Sequence, residues 1–266
     1  MKQLATRPEN ASEDNLEAHI AVLQDLFSGK THSREAAAKL ASAALALDGS
    51  LETQLGLLWH LILRIAREKP EHHDKVVDIL VDMSHLPDVA IPNGDGQGDE
   101  PLTLHDMVVW RDLPLLGWEI RRHWDYSIPP PGTKTPTERE AAIARMVNVN
   151  HFVAFLVATD EPVFLAHWWF ALVTLREALE TPWAHMRADE PLEAWIPAAA
   201  AWIEVLGAEI YEWDEVYESG PLVGAKGRGG PLWKASTASE DELEHVRRIA
   251  GEAEVIMREI EDGNVE

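Results

Sequence analysis

The fold is decided by residues 136–179, which read PTEREAAIARMVNVNHFVAFLVATDEPVFLAHWWFALVTLREAL. Thr137 with Glu140 has the spacing of a capping box, in which two side chains satisfy free amides at a helix start, and it predicts a long helix. Pro162 predicts the start of a second helix, because proline suits the first helical turn. This second helix, residues 163–179, is the most apolar of the chain, and we expect it to be central.

Helical spacing continues on both sides of this stretch. Apolar residues recur every three or four positions, and the strict alternation that is typical of a half-buried strand is nowhere sustained. The glycine-spaced residues 92–101 and the proline-rich residues 129–132 predict loops. We therefore predict an all-α, single-domain bundle of about eight to ten helices over residues 12–262, after a flexible N-terminus, residues 1–11. The other helix starts are predicted at Ser12, Ser33, Ser50, after Pro70, at Thr103 with Asp106, at Asp112, at Pro191 (with a bend at Pro197) and at Ser239.

The composition limits the classes of partner. The 266 residues carry 46 acidic and 23 basic side chains, a formal net charge of −23, so the field of the protein repels nucleic acid. The chain has no cysteine, which excludes disulfides, thiolate catalysis and iron–sulfur ligation. The first residues lack an apolar signal core, and the longest apolar stretch, residues 163–175, is shorter than a membrane span. We expect a cytoplasmic protein without a nucleic-acid or membrane partner, with a homo-oligomer as an open alternative.

Motifs for the common cofactors are missing. The Gly-Lys-Thr of residues 29–31 lacks the upstream glycine of a phosphate-binding loop, and residues 94–98 do not match the dinucleotide fingerprint. Residues 93–99 alternate like the ligands of a calcium loop, but Leu104 occupies the position of its bidentate glutamate.

The metal-dependent helical enzymes fit no better. The chain lacks the clustered aspartates that hold magnesium in a terpene cyclase. A di-iron bundle needs two Glu-x-x-His pairs, and only residues 242–245 have that spacing. The histidines include no pair four residues apart. We therefore expect no metal and no cofactor.

Polar side chains embedded in apolar helices are the best candidates for a site. Residues 147–152, Val-Asn-Val-Asn-His-Phe, place two amides and an imidazole inside a predicted helix, where a buried polar group must find a partner. The alternative is a purely structural role, in which such groups tie helices together by hydrogen bonds. The polar side chains concerned are Asn148, Asn150, His151, His167, Glu119, Arg122 and His123.

The eleven tryptophans outnumber the five phenylalanines and three tyrosines together. Indole offers a large flat apolar wall with one N–H donor, which suits the binding of a ring-bearing ligand or a cation. The alternative is that tryptophans such as Trp124, Trp195 and Trp202 only pack helices together.

Five blocks of the sequence resemble a fungal protein family of unknown function. The most specific block is residues 227–234, Gly-Arg-Gly-Gly-Pro-Leu-Trp-Lys, which is similar to the C-terminal Gly-Gly-Pro-Leu-Trp box of that family. The resemblance implies an α-helical domain, and such proteins often resemble accessories of fungal secondary-metabolite pathways. After the box, this sequence continues into the acidic residues 240–242, where the family has an aromatic-rich helix. The other blocks are residues 112–124, 148–152, 172–180 and 202–211, so the resemblance covers most of residues 50–235.

Two functions follow from these residues. The first is a cofactor-independent enzyme of the cyclase, isomerase or dehydratase type that acts on an apolar, ring-bearing metabolite, and the resemblance implies a fungal secondary-metabolite pathway. Its proton-transfer groups would be His151, His167 and Glu119. Its substrate-binding residues would be Asn148, Asn150, Arg122, Trp168, Trp124 and Trp202.

The alternative is a non-catalytic small-molecule-binding or protein-interaction module of the same fold. In either case the short connection at residues 160–162 predicts antiparallel helices, with His151 and His167 offset by about 6 Å along their axes. We expect at least one of these histidines to line a cavity walled by tryptophan.

Overall fold

The computed structural model describes residues 13–46, 49–92, 99–125, 127–179, 191–212, 248–249, 251–256 and 258. Regular structure in these residues is almost entirely helical, which confirms the all-α prediction. The main helices of the described residues are α1 (Glu13–Phe27), α2 (Ser33–Ala46), α3 (Leu51–Glu68), α4 (His73–Ser84), α5 (Leu116–Trp124), α6 (Pro136–Val157), α7 (Pro162–Leu165), α8 (Trp169–Leu179) and α9 (Leu192–Glu212), with 3₁₀ turns at Pro70–His72 and Ala166–Trp168. Two short antiparallel hairpins pair β1 (Ala90–Pro92) with β2 (Asp99–Pro101), and β3 (Thr103–Leu104) with β4 (Met107–Val108). The loop predicted over residues 92–101 is wrong at its two ends, which lie in β1 and β2, and its residues 93–98 lie outside the described residues.

The chain forms two compact units. Unit 1 runs to Arg121 and unit 2 begins at Arg122. The division falls inside α5, which is one continuous helix. The single domain over residues 12–262 stays a prediction. The predicted features at residues 1–12, the box at residues 227–234 and the helix start at Ser239 lie outside the described residues.

Unit 1 is built around α3. Ser50 caps this helix as predicted, because its hydroxyl accepts the amide N–H of Thr53 at 3.2 Å. The indole N–H of Trp59 donates to the backbone carbonyl of Pro114 at 2.8 Å, and this bond fixes the segment that leads into α5 against α3. The fully buried apolar residues of α3 recur at helical spacing; they include Leu55, Leu58, Trp59, Ile62 and Ala66.

The helix start predicted at Thr103 is wrong. Thr103 lies in β3, and the two residues between β3 and β4, His105 and Asp106, have φ angles of 51° and 63°. Two central residues with positive φ are typical of a type I′ turn, in which aspartate is tolerated. Threonine with aspartate three residues later suits either a helix cap or a tight turn, and here it forms the turn.

Unit 2 is built around α6 and α9, which pack along each other, with α8 packed on α9. The ion pair between Arg139 of α6 and Glu193 of α9 is largely buried and joins the two helices. The single helix predicted over residues 163–179 is instead divided into α7, a 3₁₀ turn and α8. Inside α9 the residue with non-helical angles is Leu206, with φ −129° and ψ 25°, which lies further along the helix than the bend predicted at Pro197.

The start of α6 lies two residues before the predicted capping box. Thr135 is the N-cap: its hydroxyl accepts the amide N–H of Glu138 at 3.2 Å, and the Glu138 carboxylate accepts the amide N–H of Thr135 at 3.0 Å. Thr137 is exposed. Two Thr-x-x-Glu patterns overlap in this segment, and Pro136, which is preorganised for the first helical position, selects the earlier pattern.

One described helix, α6, is long and apolar enough to cross a membrane by length and composition alone. Half of its most apolar window is buried inside the protein. It also carries the buried side chains of Arg139 and Asn150, and it packs along α9. These features are those of a core helix in a soluble protein.

The observed cap can be tested against the predicted one. Replacing Thr135 with alanine (T135A) removes the hydroxyl that satisfies a free amide of α6, so we expect the free energy of unfolding to fall by about 0.5–2 kcal/mol in urea denaturation. The matched control is T137A, which should change the free energy by less than about 0.5 kcal/mol, as an exposed residue outside the cap. A larger loss of unfolding free energy for T137A than for T135A would contradict Thr135 as the N-cap of α6.

Candidate functional site

The side-chain amide of Asn150 is the centre of a buried hydrogen-bond network in unit 2. Asn150 is fully buried on α6. Its carbonyl oxygen Oδ1 accepts the indole N–H of Trp124 at 3.0 Å and that of Trp202 at 2.9 Å. The same oxygen accepts the hydroxyl of Thr174 at 2.9 Å. One oxygen thus joins α5, α6, α8 and α9.

The chemistry of the donors fixes the orientation of this amide. Indole nitrogen only donates, so the Asn150 atom that faces Trp124 and Trp202 must be the oxygen. The amide nitrogen Nδ2 then points the other way and donates to the backbone carbonyl of Met146 at 2.9 Å. With three donors on one oxygen, the acceptor capacity of Asn150 is used inside the protein.

An aromatic cluster adjoins this network. The ring of Trp124 lies 5.2 Å from Phe170, 5.8 Å from Trp195 and 6.1 Å from Trp169, measured between centroids, and Trp169 stacks on Phe170 at 4.2 Å. His167 meets the cluster edge-on, 6.1 Å from Phe170. Phe170, Trp124 and Trp195 are buried, whereas Trp169 is half-buried.

Trp195 differs from the other buried tryptophans of this network. Its side chain is 3% exposed, and its indole N–H has no hydrogen-bond partner among the described residues. Trp124 and Trp202 both donate to Asn150. Because a buried indole N–H usually finds an acceptor, the Trp195 donor is the feature of the cluster that a packing role does not explain.

Both predicted proton-transfer histidines lie in unit 2 and are half-buried. Burial lowers the pKa of His167 from 6.5 to about 4, so its imidazole is neutral at pH 7. Burial also lowers the pKa of His151 on α6, and the charge of Glu204 partly opposes this effect. The ring of His151 lies 4.5 Å from Phe155. Since α6 packs on the 3₁₀ turn that carries His167, both imidazoles belong to neighbouring segments.

The remaining predicted residues are dispersed. Glu119 is buried on the unit 1 side of α5, whereas Arg122 on the same helix is exposed. Asn148 and Trp168 are half-buried in unit 2. Among the predicted residues, the hydrogen bonds of the described chain bring together Asn150, Trp124 and Trp202.

A contact between two titratable side chains of unit 1, His60 on α3 and Glu119 on α5, was not predicted. The distance between Nδ1 of His60 and a carboxylate oxygen of Glu119 is 3.6 Å. No local spacing in the sequence signals this contact, because the two residues are far apart along the chain.

Comparison with known proteins gives one result about the family. A family model described as "Protein of unknown function (DUF3632)" matches residues 59–245, which is more than half of the chain. The match includes α5 to α9 and the Asn150 network. No curated protein and no solved structure matches the chain.

The Asn150 network can be tested by truncation. The substitution N150A leaves two buried indole N–H groups and one hydroxyl without their acceptor. Each orphaned donor costs about 1–3 kcal/mol, so we expect the free energy of unfolding to fall by at least about 3 kcal/mol. The control N148A, at a half-buried position of the same helix, should cost about 1 kcal/mol or less. Similar losses in the two variants would contradict a central role for Asn150.

The buried, neutral His167 makes stability depend on pH. The unfolded chain takes up this proton below pH 6.5, and the folded chain does so only near pH 4. The contribution of neutral His167 to the free energy of unfolding is therefore complete above pH 6.5. It is lost as the pH falls to about 4, and the loss is on the order of 3 kcal/mol.

Denaturation of wild type and H167Q at several pH values measures this contribution. The difference between their free energies of unfolding should change by on the order of 3 kcal/mol between pH 7 and pH 4. The exposed control variant H85Q should keep the wild-type pH dependence. A constant difference between wild type and H167Q would show that His167 is not the group responsible.

Proposed function

The chain belongs to the DUF3632 family of proteins of unknown function, and we propose that its second unit binds an apolar, ring-bearing small molecule that carries a hydrogen-bond acceptor. The observation that carries the proposal is the buried Trp195 N–H, which has no partner among the described residues and lies within an aromatic cluster. An acceptor oxygen on a flat ligand would satisfy this donor, while the indole faces would contact its rings.

The polar groups near the aromatic cluster favour an uncharged ligand over a charged one. His167 at the edge of the cluster is neutral at pH 7, and the Asn150 oxygen already accepts three donors. A charged ligand would lose hydration on entering a cluster of aromatic rings. An uncharged ring system with one carbonyl, ether or hydroxyl oxygen fits the cluster best.

The second candidate function is catalytic, and the neutral histidines favour it. An imidazole that stays neutral at pH 7 can accept a proton, and His151 and His167 lie on neighbouring segments. Proton transfer of this kind supports isomerisation, cyclisation or dehydration without a cofactor. A cytoplasmic role as an accessory in fungal secondary metabolism belongs to this proposal, and it is supported by the resemblance of the sequence blocks.

The binding proposal is tested with two probes of the same shape. The bicyclic ketone 1-tetralone carries an acceptor oxygen, and the hydrocarbon tetralin does not. We expect wild type to bind 1-tetralone more tightly by about tenfold in calorimetric titration, which corresponds to one hydrogen bond.

The variant W195F removes the N–H and keeps an aromatic ring, so it should abolish the preference for the ketone. The control W118F changes a tryptophan that is 75% exposed and should keep the preference. Equal binding of both probes by wild type, or failure of both to bind, would contradict the proposal. Mass spectrometry of the incubated ketone, with H151A and H167A as comparisons, separates catalysis from binding.

A further inference from the structure

The buried guanidinium of Arg139 in unit 2 has donors that are not used. Arg139 lies near the start of α6 and is 7% exposed. Its Nη2 donates to the carboxylate of Glu193. Its Nε and Nη1 are also buried, and neither has a hydrogen-bond partner among the described residues. Because a guanidinium keeps its charge and a buried donor without an acceptor is costly, these two nitrogens indicate a missing acceptor.

The helices that carry Arg139 and Glu193 start at the same end of unit 2. Arg139 contacts Glu193 near the starts of α6 and α9, and Asn150 contacts Trp202 further along both helices, so α6 and α9 run parallel. They have 22 and 21 residues. The first amides of a helix have no acceptor within it and give that end a partial positive charge. Two positive helix ends therefore lie at the Arg139 guanidinium.

We propose that Arg139 and the first turns of α6 and α9 form a binding site for a carboxylate group, which we call the Arg139 site. Helix N-termini and arginine side chains both favour anions. The unpartnered guanidinium is the observation that points to a ligand, because a helix end by itself does not require one. The oxygens of the carboxylate would accept the N–H groups of Arg139 that the described residues leave unpaired.

The charges at the site favour an anion with a single negative charge. Glu193 already offsets part of the charge of Arg139, and Glu138 lies in the first turn of α6. The net charge of −23 also repels multiply charged anions from the protein as a whole. A phosphate group carries nearly two negative charges at pH 7, so it would be repelled more strongly than a carboxylate.

The Arg139 site lies close to the protein surface. The side chains of Arg139 and Glu193 are 9% and 14% exposed. Movement of the Glu193 side chain would free Nη2 for the incoming carboxylate. Nη2 together with a neighbouring nitrogen of the guanidinium then gives the two parallel hydrogen bonds that are typical of arginine–carboxylate pairs. In this view, Glu193 occupies part of the site until the ligand replaces it.

The test uses the full chain at pH 7 and constant ionic strength, with acetate as the probe and chloride as the baseline. Nuclear magnetic resonance of ¹⁵N-labelled protein follows the Nε–H signal of Arg139, which is assigned by its loss in R139K. We expect acetate to shift this signal saturably and to raise the thermal midpoint. Phosphate should have a smaller effect, and binding of phosphate more tightly than acetate would contradict the carboxylate assignment.

Two variants change the affinity of the Arg139 site in opposite directions. R139K keeps the charge but lacks the planar fork, so it should weaken acetate binding at least about tenfold in calorimetric titration. E193Q removes the competing carboxylate, so it should strengthen acetate binding about tenfold.

E193Q decides the test if R139K does not fold, because the glutamine has nearly the same shape and its oxygen can still accept an N–H of Arg139. The matched control is K134Q, which removes a lysine that is 57% exposed just before α6 and should bind acetate as wild type does. Absence of a saturable shift in wild type, or acetate binding in E193Q that is no tighter than in wild type, would overturn the proposal.

Discussion

Unit 2 depends on one oxygen atom. The carbonyl oxygen of Asn150 accepts hydrogen bonds from Trp124, Thr174 and Trp202, and these donors lie on three different helices. Each donor is buried and would lose its hydration without this acceptor. Hydrophobic packing alone is non-directional, so the three bonds define which rotation of each helix buries the correct face. The aromatic cluster around Trp124 takes its geometry from this constraint.

The helical class could be predicted because the apolar spacing of three and four is a local property of the chain. The cap of α3 at Ser50 could be predicted for the same reason. The errors arose where one local pattern suits two structures. Thr135 and Thr137 both begin Thr-x-x-Glu patterns, and only the position of Pro136 distinguishes them. Thr103 with Asp106 suits both a cap and a hairpin turn, and the pairing of β3 with β4 is not a property of those residues alone.

The site was predictable in part. Asn150, Trp124 and Trp202 could be singled out because a buried amide and buried indoles need partners, but the sequence did not show that they are one another's partners. That information requires the packing of α6 against α9. The pairing of His60 with Glu119 depends on contact between residues 59 positions apart, which no local spacing encodes.

The turn before α5 shows how side-chain burial can outweigh backbone preference. Leu115 adopts a φ of 71° and Leu113 a φ of 43°, angles that glycine would adopt without strain. Leu113 is 1% exposed, and burial of a leucine side chain is worth about 1.5–3 kcal/mol, which is comparable to the strain. A glycine in this turn would relieve the backbone but would also enlarge the set of conformations open to the unfolded segment. The two leucines therefore accept backbone strain, and in return they make the turn more rigid than glycines would. The turn is a fixed corner and not a hinge.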